Sequence, residues 1–97
     1  MRVNYFHPEA IAEAEAAAAF YAERQKALGD RFVVAPQEAI DRIRIHPDLY
    51  RETEAGIRQC RLLRFPYGVI FREREDRIEI IAVMHLHREP GYWKART

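Results

Sequence analysis

The run Arg64-Phe65-Pro66-Tyr67-Gly68-Val69-Ile70-Phe71-Arg72 and, further on, Ile80-Ile81-Ala82-Val83-Met84-His85-Leu86-His87-Arg88 read as two strands. Alternation with period 2 puts every second side chain on one sheet face. Arginines and histidines recur at such positions, so one face is expected to present them rather than to build a core. Three consecutive strands follow from this reading: Ile57–Phe65, Gly68–Arg74 and Arg77–Leu86. Pro66-Tyr67-Gly68 and Glu75-Asp76 supply the turns between them. Connections this short make the neighbours antiparallel.

Upstream, Val3 to Phe6 is short and rich in β-branched and aromatic residues, which predicts a first strand. His7-Pro8 ends it, and Pro8 suits the first turn of a helix. Glu9 and Glu13 then lie near the positive end of the helix dipole. The alanine-rich stretch to Leu28 has high helix propensity. Ile11, Ala14, Ala18, Tyr21 and Leu28 share a face, and Gly29 reads as the stop. The alanines admit two readings: propensity alone, or small side chains that let a second helix approach closely. That second helix is expected between Asp30 and Ile45, with Phe32, Ala39, Ile40 and Ile43 as its apolar stripe. Pro36 either begins it or kinks it. Residues 47–56 read as a loop. The order β-α-α-β-β-β implies an α+β fold, an antiparallel sheet packed on one face by a helical hairpin.

Totals narrow the function. A chain of 97 residues makes a single domain, residues 1–97. No apolar run is long enough to span a membrane. Arg2-Val3-Asn4-Tyr5 is not followed by the apolar core of a signal peptide. The lone Cys60 excludes an internal disulfide and fits a reducing, cytoplasmic setting. Net charge is +1, low for a nucleic-acid binder, but it is unevenly spread. Residues 1–56 hold 7 Lys/Arg against 10 Asp/Glu, and residues 57–97 hold 9 against 5. The strand half is therefore basic and attracts anions or acidic chains.

In the last strand Ile78, Ile80, Ala82, Met84 and Leu86 are assigned to the helices, which leaves Glu79, Ile81, Val83, His85 and His87 outward. In the first of the three, Ile57, Leu63 and Phe65 are assigned inward, and Arg58, Cys60, Leu62 and Arg64 outward. In the middle strand Val69 and Phe71 go inward, and Ile70, Arg72 and Arg74 outward. Aliphatic residues on an open face call for a cover. A partner segment is one candidate, and the C-terminal tail with Tyr92 and Trp93 is another.

No metal-ligand spacing is present, and no cofactor is expected. A buried, inert Cys60 is favoured over a thiol nucleophile. RNA cleavage is chemically better founded. Histidines can transfer protons near neutral pH, and arginines can hold the charge that develops on phosphate oxygens. Arg64, Arg72, His85, His87 and Tyr92 are the candidate catalytic set for such an activity. The plainer reading is a solvated face in which the arginines pair with Glu73, Glu75 and Glu79.

The ordered set of motifs resembles a known family. It comprises His7-Pro8-Glu9-Ala10, Leu28-Gly29-Asp30-Arg31-Phe32, Leu63-Arg64-Phe65-Pro66-Tyr67, and His85-Leu86-His87-Arg88 with Pro90-Gly91-Tyr92-Trp93. It is similar to the RelE/ParE superfamily of toxins from type II toxin–antitoxin modules, on the ParE-like plasmid-stabilisation side. That resemblance implies the same fold and a growth inhibitor that a cognate antitoxin neutralises. It makes Arg58, Leu62, Ile70, Ile81, Val83 and Arg88 the expected antitoxin-docking residues. It also implies one of two targets, DNA gyrase for ParE-like members or ribosome-bound mRNA for RelE-like endoribonucleases. The strand half holds a single lysine, Lys94, and the chain is near neutral, which favours gyrase. A small interaction domain without toxicity is the third reading.

Overall fold

The structure, a computed structural model, describes residues 3–97. Arg2, read above as part of an N-terminus without a leader pattern, lies outside the described residues. The elements run β1 (Val3–Phe6), α1 (Pro8–Arg24), α2 (Lys26–Ile45), β2 (Arg51–Glu54), β3 (Ile57–Arg61), β4 (Tyr67–Arg74) and β5 (Arg77–His85). Short 3-10 turns occupy Pro47–Leu49 and Lys94–Arg96. The five strands form one sheet in the order β1-β5-β4-β3-β2. The predicted order of elements holds, with an extra edge strand, β2, where a loop was expected. The sheet is mixed rather than wholly antiparallel, because β1 runs parallel to β5.

Both helices are longer or shorter than their sequence signals suggest, for a packing reason. His7 caps α1, its Nδ1 accepting from the Glu9 N–H at 3.1 Å. The helix ends at Gln25, which adopts extended backbone, and α2 begins at once. Gly29 is not a stop but part of the first turns of α2. A Cβ on it would lie 2.5 Å from the Cβ of Ala22 and 2.8 Å from its Cα. The second reading of the alanines therefore applies here: small residues bring the two helices together. Pro36 lies inside α2, buried, so the helix neither begins nor ends there.

The main core lies between hairpin and sheet. It joins Ala10, Ala17, Phe32, Ala39, Ile40 and Ile43 to Cys60, Leu62, Phe65, Val69, Phe71, Ile78, Ile80 and Val83. Phe32 and Phe65 meet edge-on, with ring centroids 4.9 Å apart, and Tyr21 and Tyr67 pack around them. A second cluster lies on the opposite sheet face: Ile57, Ile70, Ile81, Ala82, Met84 and Trp93, with Tyr92 beside it.

These two clusters correct several face assignments. Ile70 pairs with Ala82, but Phe71 pairs with Ile80, so Ile81 is an extra residue on β5. The bulge inverts the alternation beyond it. Val83 thus turns toward the helices, and Ala82 and Met84 turn away. Leu86 lies past the end of β5. β3 stops at Arg61, and the chain then leaves the ladder. The Leu62 N–H donates to the Tyr67 carbonyl at 2.9 Å, and the Tyr67 N–H to the Phe65 carbonyl at 2.7 Å. Alternation counted back from Phe65 therefore fails: Cys60 and Leu62 face the helices, Ile57 faces away, and Leu63 is exposed. The assignments in β4 hold for Val69, Phe71 and Ile70.

Overpacking a helix contact costs about 1–3 kcal/mol, more than the helix propensity that alanine gains over glycine, about 1 kcal/mol. Gly29→Ala is accordingly expected to lower stability in urea unfolding. An unchanged or raised midpoint would mean that the helices can part without loss.

Candidate functional site

β1 ends at Phe6, which pairs with Ile80, and the last backbone bond on that side runs from the His7 N–H to the Ile80 carbonyl. Beyond this point β5 has an open edge. Two side chains close it. Glu13 of α1 accepts from the Val83 N–H at 3.0 Å, and Arg96 donates to the Ile81 carbonyl at 3.1 Å. The two also bind each other in a two-pronged pair, with Nη1 to Oε1 at 2.9 Å and Nη2 to Oε2 at 3.0 Å. Tyr92 donates its hydroxyl to Glu13 at 2.6 Å, and Arg88 stacks on the Tyr92 ring at 3.8 Å.

This clasp positions the tail. Gly91 has φ +81, a left-handed turn that glycine adopts freely. After it, Tyr92 reaches α1 while Trp93 drops onto the far sheet face, where it is 4% exposed. Lys94 pairs with Glu54 of β2 at 2.8 Å. The tail is therefore the cover that the aliphatic face required. Ile70 and Ile81 lie beneath it, and Leu62 and Val83 are in the main core, so none of these four docking candidates is exposed. Arg58 donates to the Tyr50 carbonyl at 2.7 Å and holds the loop before β2. Arg88 remains exposed.

The candidate catalytic residues do not converge on one point. His85 lies toward α1, its ring 5.0 Å from that of Tyr67 and 5.3 Å from that of His87. It lines a shallow cleft with Glu13, Ala16, Ala17, Arg88 and Tyr92. Arg72 is on the opposite face, bound through Nε to Glu79 at 2.6 Å. Arg64 is on the loop between β3 and β4, against α2. The expectation that the arginines and histidines share one face thus fails, because the bulge turns His85 to the helix side.

Protonation adds to this separation. Burial, then the hydrogen bond to Glu13 and its charge, push the Tyr92 hydroxyl well above the ordinary tyrosine value. A general base would need the opposite shift. Burial likewise raises the Cys60 thiol despite Arg42 and Tyr50, so it has little thiolate character. Among the described residues no group of three His, Cys, Asp or Glu is placed to hold a metal.

A larger groove, about 570 Å³, runs between α2 and the β3–β4 loop. Val34, Ala35, Leu63 and Phe65 give it apolar walls, and Arg31, Arg42, Arg64, Glu38 and Asp41 rim it. Arg42 donates to the Arg61 carbonyl at 3.3 Å, while its buried Nε has no hydrogen-bond partner among the described residues. Sequence reasoning passed over this groove, and over Glu13 and Arg96. Two of its apolar lining residues, Val34 and Leu63, are exposed, and nothing local in the sequence distinguishes them from core residues.

Two expectations follow for the charged pairs. Removing one partner of a largely buried pair costs about 3 kcal/mol. Glu13→Ala is therefore expected to lose about that much in urea unfolding and to make the tail sensitive to protease. Burial alone would raise the Glu79 carboxyl, but hydrogen bonds from Arg72 and Arg77 outweigh it and hold it below its ordinary value of 4.5. A depressed carboxylate contributes stability above the unfolded value and loses it as pH falls through the folded one. Glu79→Gln is expected to flatten the loss of stability below pH 4.5, as measured by unfolding across an acid series.

The family model for the ParE toxin of type II toxin–antitoxin systems, parDE, matches residues 5–90. No curated protein matches the sequence. A solved structure described as a chromosomal ParDE toxin–antitoxin system from P. aeruginosa superposes with a TM-score of 0.76. It covers 88% of this chain and 96% of that chain at 18% identity, a likeness of fold. No helix here is long and apolar enough to cross a membrane. With nearly the whole chain matched, helical hairpin and sheet included, the protein belongs to the ParE toxin family of type II toxin–antitoxin systems.

Proposed function

We propose that this chain is a growth-inhibiting toxin of the plasmid-stabilisation kind, held inactive by a cognate antitoxin in the cytoplasm, and that its target is DNA gyrase. Family membership supports the toxin role. The separation of the cleavage candidates carries the choice of target: Arg72 lies on one sheet face, His85 on the other, and Arg64 against α2. RNA cleavage needs base, acid and cation within reach of one phosphate. A toxin that acts by binding has no such need.

The antitoxin is a protein whose apolar segment lies in the groove between α2 and the β3–β4 loop. Val34, Leu63 and Phe65 supply area, and Arg31, Arg42 and Arg64 can meet acidic side chains. This moves the docking surface from the strand residues of the sequence reading to the groove, since Ile70 and Ile81 are already covered by Trp93.

Purified protein is expected to inhibit DNA supercoiling by gyrase and to leave ribosome-bound message intact. Co-expression with the product of an adjacent antitoxin gene should restore growth. Message cleavage abolished by His85→Ala, His87→Ala or Arg72→Ala would instead establish the endoribonuclease reading. Growth unaffected by the chain alone would remove both.

A further inference from the structure

One end of the tail-covered sheet face carries an arrangement that neither the clasp nor the groove explains. Arg74 of β4 and Arg77 of β5 are direct cross-strand partners. Like charges in that position destabilise a ladder. Arg72 and Arg77 both bind Glu79, which is only 6% exposed. Arg72, Arg74, Arg77 and Arg96 line a cleft of about 320 Å³ with Tyr5, His7, Ile80 and Ile81. Glu79 is the sole carboxylate in that lining. Arg96 is matched by Glu13, so three guanidinium groups face one acid. The acids of the hairpin do not redress this. Glu73 alternates to the other face from Arg72 and Arg74, and Glu75 and Asp76 form the turn.

Two of the three arginines, Arg72 and Arg77, are also held in place. Arg72 uses Nε on Glu79, which leaves both its terminal nitrogens as donors. Arg77 uses one terminal nitrogen on Glu79 and lies over the Tyr5 ring at 5.2 Å. His7 accepts through Nδ1 from the Glu9 N–H, so its proton is on Nε2, a further donor at the rim. Fixing long side chains beforehand lowers the entropy lost on binding.

We infer that this cleft binds the phosphodiester backbone of double-stranded DNA. Guanidinium forks fit phosphate oxygens bidentately. Arg72 and Arg74 are alternate residues of one strand, about 6.6 Å apart at the ordinary rise of a strand. A row of cations, two of them held by Glu79, matches a polymer of evenly spaced anions better than it matches a lone carboxylate, a role Glu79 already fills. The contact is independent of sequence and weak, in keeping with a net charge of +1. It stands apart from the gyrase reading, because the binding assay contains no gyrase.

The test is fluorescence anisotropy of a labelled DNA duplex against the purified full chain over a series of salt concentrations. Three phosphate contacts give a log–log salt slope of about −2.7. Arg74→Gln, which touches no ion-pair partner among the described residues and relieves the repulsion with Arg77, is expected to reduce the slope by about one unit while the unfolding midpoint holds or rises. Arg77→Gln should do the same to the slope, while Arg24→Gln, on α1 and remote from the cleft, should not change it. No binding at low salt, an unchanged slope in both cleft variants, or displacement of the duplex by polyglutamate at equal charge would each overturn the proposal.

Discussion

The molecule depends on the ion pair between Glu13 and Arg96. β1 is too short to pair the whole of β5, and unpaired backbone groups at a buried edge are costly. One carboxylate and one guanidinium take the place of the missing strand residues, on the Val83 N–H and the Ile81 carbonyl. The same two groups then bind each other and, through Tyr92, fasten the last turn of the chain. Helix, sheet edge and tail are joined at a single point. Without it, Trp93 would have no fixed path onto the far face.

That path determines which surfaces remain for function. The tail occupies the middle of the far face, so recognition is left to its margins and to the helix side. On one margin stands the arginine cleft, and across the molecule lies the α2 groove with exposed Val34 and Leu63. The arginine cleft and the arginine-rimmed apolar groove are thereby kept apart. A chain with two partners of different chemistry can present both without one masking the other.

Much of the architecture was legible in the sequence because short turns and strong periodicity leave few alternatives. β1, the hairpin of helices and the antiparallel β3-β4-β5 meander followed from Pro8, the alanines, Pro66-Tyr67-Gly68 and Glu75-Asp76. What failed did so for physical reasons. β2 reads Arg-Glu-Thr-Glu, exposed throughout, and carries no alternation to detect. Leu63 and Phe65 continued the pattern of β3 by chance, although the chain had already turned. The β5 run is apolar at every position from Ile80 to Met84, so its alternation cannot report a face. Gly29 looked like punctuation, but its role is to touch Ala22. Glu13 and Arg96 are 83 positions apart, and nothing local couples them.

Ile81 has a further consequence. It is the one residue of β5 with no opposite number on β4. Excising it would restore strict alternation and leave every downstream side chain on the side it now occupies, with Val83 and His85 toward the helices and Ala82 and Met84 away from them. Keeping it and closing the bulge would instead exchange the two sides: Ala82 and Met84 would enter the interior, and Val83 and His85 would be expelled from it. One sequence thus encodes two registers of its last strand with opposite occupants of the core. The bulge is what selects between them.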